Sequence, residues 1–215
     1  MAQITNIIPA LLTNSISELT EDIDKVSDVV DLVQIDVVDG YFAPYITCCP
    51  APQIAAAEID MPYEVHLMVE DPITMLNGWR IAGAERVIGQ IEKMPDQEAF
   101  VKKASDLGLG VGLALTLKTP ISDIAPALVN SLDLVLLMAH EVGVQGVSFD
   151  DIVLEKISQL HTLYPNLIIE VDGGIDEETI VKAHNSGASR FAVGSTIINS
   201  DDPQAMIQKL ASLIR

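Results

Sequence analysis

Short apolar runs recur along the chain, and each is followed by a polar turn and then by a segment with apolar positions three and four residues apart. The runs are Ile4–Leu11, Leu32–Val37, Tyr63–Met68, Arg86–Gln90, Gly110–Leu115, Leu132–Met138, Leu167–Val171 and Arg190–Val193. They are rich in Val, Ile and Leu and alternate little, the pattern of parallel strands buried on both faces. The segments between them predict helices. Ser17–Val26 spaces Leu19, Ile23 and Val26 on one face, Asp96–Leu107 carries Phe100, Val101 and Leu107, and Phe149–Leu163 carries Ile152, Ile157 and Leu160. Glu177–Ser186 stops at Gly187, and an amphipathic Pro203–Ile214 follows. Asp71-Pro72, Thr119-Pro120 and Asp202-Pro203 read as capped helix starts with proline at the first position. Pro50–Ala57 and Ser122–Asn130 carry weaker patterns, the second interrupted by Pro126.

Eight strand–helix units in 215 residues leave about 27 residues each, enough for a strand, a helix and short loops. Eight parallel strands close naturally into a (β/α)8 TIM barrel, an α/β fold. The alternative, an open doubly wound sheet, wants a glycine-rich turn after the first strand. Here that turn reads Leu12-Thr13-Asn14-Ser15. No linker or low-complexity tract divides the chain, so residues 1–215 are expected to form a single barrel domain.

Composition narrows the functions. The chain is 49% hydrophobic and 20% charged, which excludes disorder. A net charge of −19 argues against nucleic acid or an anionic membrane surface as partner. Any phosphate ligand must be held by local backbone dipoles. Cys48 and Cys49 are adjacent and offer no disulfide framework, as expected in a reducing cytoplasm. The first dozen residues lack a basic leader pattern, and no apolar run approaches a membrane span. A cytoplasmic protein is expected. The apolar loop Tyr45–Pro50 either packs against a partner subunit, making a homo-oligomer, or covers the barrel mouth.

In a barrel the chemistry sits at the C-terminal strand ends. Strand two carries Gln34 and Asp36, which at i, i+2 point to one side. Strand three ends with His66 and Met68, strand six with Met138, and strand seven with Asp172-Gly173-Gly174. Singly, a strand histidine is a core residue, an Asp-Gly pair is a turn and a methionine is core filler. Together, Asp36, His66 and Asp172 fall on one rim. Glycine-rich corners follow strands six, seven and eight: Gly143-Val144-Gln145-Gly146, Gly173-Gly174 and Gly194-Ser195. They either make tight turns or let backbone N–H groups approach phosphate oxygens.

With these residues the chain resembles the ribulose-phosphate 3-epimerase family. The matching stretches are IDVVDGYFAPYIT, YEVHLMVEDP, GLALTLKTP, DLVLLMAHEVGVQG, EVDGGI and the late VGS, in the family's order over nearly the whole chain. The resemblance implies an isomerase that epimerises a ketose phosphate at C3, of the D-ribulose 5-phosphate to D-xylulose 5-phosphate type. It implies Asp36 and Asp172 as acid and base. It also implies a divalent metal ion (zinc, iron, manganese or magnesium) at Gln34, Asp36, His66 and Asp172. Ala10, Met68 and Met138 then line the substrate pocket. The departures lie at the metal and sugar end. Gln34 stands where the family has a metal histidine, Ala10 replaces a serine, Gln90 a histidine and Thr116 an asparagine. Val38 replaces a methionine, and the strand-six loop differs from NPGFGGQ. Two other readings stand beside this one: an enzyme for another phosphorylated sugar, and a phosphosugar-binding barrel without catalysis.

Overall fold

A computed structural model describes residues 4–47, 50–140, 142 and 148–214. Eight parallel strands form a closed barrel in chain order. They are β1 (Ile7–Leu11), β2 (Val33–Val38), β3 (Tyr63–Met68), β4 (Arg86–Gln90), β5 (Gly110–Leu115), β6 (Leu134–Met138), β7 (Ile168–Asp172) and β8 (Arg190–Val193). The barrel closes through β1 on β8, with Ile8 opposite Ala192. The open sheet is thereby excluded.

The surrounding helices are α1 (Ile16–Val26), α2 (Ala51–Ala57), α3 (Pro72–Ala82), α4 (Gln97–Asp106), α5 (Ile152–Leu163), α6 (Thr179–Asn185), α7 (Ser195–Ile198) and α8 (Pro203–Leu213). The expected starts differ in how they are capped. Asp202 and Asp96 accept the backbone N–H of Ala205 and Ala99, whereas the Asp71 side chain makes no cap bond. Ser122–Asn130 is not an α-helix. Pro126 has no N–H to continue one, and two 3₁₀ turns, Ile121–Asp123 and Pro126–Ser131, take its place. The α-helix expected from Phe149 starts only at Ile152, and Ile152 is 61% exposed while Val153 is buried. The sheet-facing side of α5 is therefore Val153, Ile157 and Leu160.

Two apolar layers result. The larger lies between strands and helices, with Trp79, Phe100 and Phe191 fully buried in it. The smaller fills one side of the barrel interior, with Ile88, Ala114, Leu134, Leu136 and Met138. The interior also holds buried polar and charged groups, Gln34, Asp36, Glu64, His66, Gln90, Glu170 and Asp172. At the base, Glu64 accepts from Arg86 Nη1 at 2.7 Å and from Arg190 Nη2 at 2.6 Å, and Glu170 accepts from Arg190 Nε. Both glutamates are fully buried. This base network leaves the upper half of the barrel for Gln34, Asp36, His66, Gln90 and Asp172.

Candidate active site

Alternation along β2 and β3 sends Gln34, Asp36 and His66 inward, and the register places Asp36 opposite His66. Asp172 ends β7 next to Met138 of β6. Donor atoms of Asp36, His66 and Asp172 all lie within 4.8 Å of one another. His66 Nδ1 is 3.5 Å from Asp36 Oδ1 and 3.4 Å from Asp172 Oδ2, ion-pair distances rather than hydrogen bonds. Gln34 Nε2 donates to the same two oxygens, at 2.8 Å and 3.0 Å. On its far side His66 Nε2 meets the Gln90 amide at 3.0 Å. That amide satisfies its surroundings with Oε1 accepting from His66 Nε2 and its NH₂ donating to Glu92 Oε2 at 2.9 Å. In that orientation Gln90 accepts the Nε2 proton, leaving Nδ1 toward the two aspartates.

Burial raises the Asp36 carboxyl to about 6, and the nearby Asp172 adds to the rise while His66 and Gln34 restrain it. Burial works against a charged His66, yet Asp172 and Asp36 outweigh it and raise the imidazole to about 9. The donor set also fits a divalent cation. His66 Nδ1 and Gln34 Oε1 are buried with no hydrogen-bond partner, and two carboxylates plus an imidazole are a usual oxygen–nitrogen ligand set.

The cavity over the two aspartates is bounded by Ala10, Met68 and Met138 and by Gly173, Gly174, Gly194 and Ser195. Every glycine-corner residue named from the sequence after strands seven and eight is therefore beside Asp172. Gly143, Val144, Gln145 and Gly146 lie outside the described residues. Gly173 and Gly174 have φ of +115° and +62°. A Cβ on Gly174 would lie 2.4 Å from the backbone nitrogen of Phe149, and one on Gly173 would lie 2.4 Å from His140 Cδ2. Ser195 belongs to the first turn of α7, where N–H groups have no intrahelical acceptor. The corner is braced by Thr179 Oγ1 donating to Gly174 O at 3.0 Å and Thr196 Oγ1 donating to Ile175 O at 2.6 Å.

The β2 loop borders the mouth. Asp39 accepts the N–H groups of Tyr41, Phe42 and Glu70 at 2.8–2.9 Å, tying that loop to the one after β3. Burial opposes its charge, but these N–H groups hold its carboxyl below the ordinary range. Phe42, Ala43 and Tyr45 pack with Val38 and Met68; of the loop Tyr45–Pro50, Cys48 and Cys49 lie outside the described residues. Ile46 points out and is 68% exposed.

His140 escaped the sequence reading although it lines this cavity. The signal was present: Leu136, Met138 and His140 continue the inward alternation of β6 one step past its end. Lys156 was also missed. It donates to Thr116 O and Thr119 O at 2.7 Å and fixes the loop after β5. A lysine on a helix carries no mark of such a role.

A family model described as the ribulose-phosphate 3 epimerase family matches residues 6–198. The ribulose-phosphate 3-epimerase of Schizosaccharomyces pombe is 30% identical over 213 residues, covering 97% of this chain and 93% of that protein. The one from Bacillus subtilis is 31% identical over 211 residues, covering 95% and 97%. Among solved structures, a ligand complex of KGPDC from Streptococcus mutans superposes with a TM-score of 0.75 at 15% identity, covering 99% of this chain and 98% of that one. The 3-hexulose-6-phosphate synthase of Salmonella typhimurium gives 0.70 at 17% identity, covering 97% and 98%. At these identities the two structures show a shared barrel fold and no more.

Proposed function

The chain belongs to the ribulose-phosphate 3-epimerase family, and from that premise we propose that it epimerises a pentulose 5-phosphate at C3 by proton transfer between Asp36 and Asp172. The observation that carries this reading is the meeting of the two carboxyl groups at one rim, both bonded by Gln34 and both beside the glycine corner.

The chemistry follows from what each group can do. The carbon next to a ketone is a weak acid. One carboxylate takes its proton from one face, and the other carboxyl group returns a proton to the opposite face, which inverts the centre. Asp36 and Asp172 arrive from β2 and β7, with β1 and β8 between them in the ring, so they approach a substrate from different sides. Burial keeps the proton affinity of Asp36 near neutrality, where a carboxyl both takes and gives protons efficiently. The phosphate is held by backbone N–H groups at Gly173, Gly174, Gly194 and Ser195, the arrangement this fold offers after its last two strands. It suits a chain of net charge −19. Ala10, Met68 and Met138 exclude water from the reacting carbon. Asp36, His66 and Asp172, with Gln34, would hold a divalent cation. When bound, such an ion supplies Lewis-acid stabilisation of the negative charge that develops at the substrate oxygens.

The test is exchange of the C3 proton of D-ribulose 5-phosphate in deuterated water, followed by proton NMR. Deuterium should enter C3 as the xylulose epimer forms. Asp172→Asn should lower the rate about 10²–10⁴-fold or more while circular dichroism stays unchanged. Binding of the sugar phosphate without any exchange would make the protein a binding barrel. Exchange confined to another ketose phosphate would reassign the substrate.

A further inference from the structure

Gln34 is fully buried, faces the barrel interior and is bonded in a way that simple packing does not require. Its NH₂ group donates to Asp36 Oδ1 at 2.8 Å and to Asp172 Oδ2 at 3.0 Å. An amide nitrogen has two hydrogens, so both are engaged. Its oxygen, Oε1, is buried with no hydrogen-bond partner, an arrangement that native interiors rarely tolerate. The two oxygens it bonds are also the two that face His66 Nδ1. The amide nitrogen therefore stands against two of the three atoms that would share a cation.

An N–H pointing at a cation is repelled by it, whereas an amide oxygen is an acceptable ligand. Nitrogen and oxygen exchange places by rotation about the terminal torsion of the side chain, which is broad and roughly two-fold. Without a cation the oxygen-inward position sets Oε1 against two carboxylates. With a cation the nitrogen-inward position sets two hydrogens against it. Each state of the site thus favours one orientation.

We propose that Gln34 is a two-position ligand. Nitrogen inward, it ties Asp36 to Asp172 in the ion-free protein; oxygen inward, it completes the ligand set of a divalent cation. The inference rests on the metal-assisted reading of this site and specifies which residue meets the ion and how. The ion-free site stays assembled because the amide bridges two carboxylates that would otherwise repel. Ion binding must break two hydrogen bonds, so the ion is held less tightly than by an imidazole at the same place.

The test uses the full chain, labelled with ¹⁵N and freed of metal by chelation. The Gln34 side-chain amide is assigned by its loss in Gln34→Met. In the ion-free protein both its protons should resonate downfield of those of exposed glutamines and exchange slowly with solvent. Titration with Mg²⁺ or Zn²⁺ should move both resonances and remove that protection. In parallel, calorimetry with Mn²⁺ should show binding to Gln34→Met weaker by about tenfold. Gln34→His should gain more affinity for Zn²⁺ than for Mn²⁺. Amide resonances that stay fixed while the ion binds would overturn the switch and leave the metal-assisted reading standing, as would unweakened Mn²⁺ binding by Gln34→Met. Failure of the wild type to bind any ion at millimolar concentration, while Gln34→His binds, would make Gln34 a permanent clamp and also overturn it. The deuterium exchange assay on the same chelated protein then judges the epimerase reading separately.

Discussion

At the scale of single residues, the site depends on backbone positions as much as on its acids. Gly174 occupies the left-handed region at φ +62°, and the space that a Cβ would fill holds backbone atoms of Phe149 at 2.4 and 2.8 Å. Backbone cannot rotate away as a side chain can. Gly174→Ala should therefore cost about 2–4 kcal/mol, combining the left-handed penalty with displacement of a neighbouring segment. For a chain of this length that is a melting-temperature drop of roughly 4–16 °C. Weaker sugar-phosphate binding should accompany it, read by calorimetry, and an unchanged melting temperature would mean that the loop before α5 yields freely. Asp36, His66 and Asp172 were legible in the sequence because a charged group inside an apolar run needs a reason to be there. His140 was not, since it follows the run instead of interrupting it. The hydrogen bonds of Gln34 were also invisible: the sequence shows that two side chains share a face but not that a third arrives from β7.

At the scale of elements, charges that interrupt apolar runs also mark the base of the barrel. Glu64, Arg86 and Arg190 stand at or near the start of a strand and Glu170 in the middle of β7, and they meet in one ion-pair network. The sequence reading passed over them because a charge near the start of a strand also suits an exposed end. In the barrel these starts converge, and the charges neutralise one another with little water present. Removing Arg190 leaves the buried Glu170 carboxyl with no cation and Glu64 with Arg86 alone. Arg190→Met, which deprives both Glu64 and Glu170, should destabilise the protein by about 3–5 kcal/mol, measured by urea titration. Adding Glu170→Leu to that variant should recover part of the loss, and a double variant no better than the single would show that packing rather than charge dominates. Strand bounds were legible to within a few residues because parallel strands are apolar throughout. The 3₁₀ turns Ile91–Lys93, Ile121–Asp123 and Pro126–Ser131 and the four-residue α7 were not, since none contains enough residues to establish a period.

For the molecule as a whole, the buried acids and the surplus of negative charge act in one direction. Burial, reinforced by Glu64 and Asp172 and restrained by Arg190, raises Glu170 to about 8. Asp36 stands at about 6 and His66 at about 9. Each holds its proton more tightly folded than unfolded. The stability each contributes is full below its unfolded value and is lost as pH rises through its folded value. The windows are about 4 to 6 for Asp36, 4.5 to 8 for Glu170 and 6.5 to 9 for His66. The chelated protein should therefore melt at successively lower temperature from about pH 5.5 to about pH 8.5, checked by differential scanning calorimetry at constant ionic strength. A melting temperature that rises over this range would contradict the proton assignments. A saturating divalent cation should flatten the slope, because it replaces the proton on His66. The closing of β1 on β8 reaches beyond stability. With α8 packed beside α1 and β1, the last described helix returns to the place where the first strand begins. Such a ring has a cyclic order of units, so a chain that runs through the same units from a different starting unit is expected to close the same ring. A new start opened at Gly108, where a Cβ would meet nothing within 4 Å, with the old ends joined by a flexible linker, should give a rearranged chain that folds to the same barrel and keeps its rim chemistry.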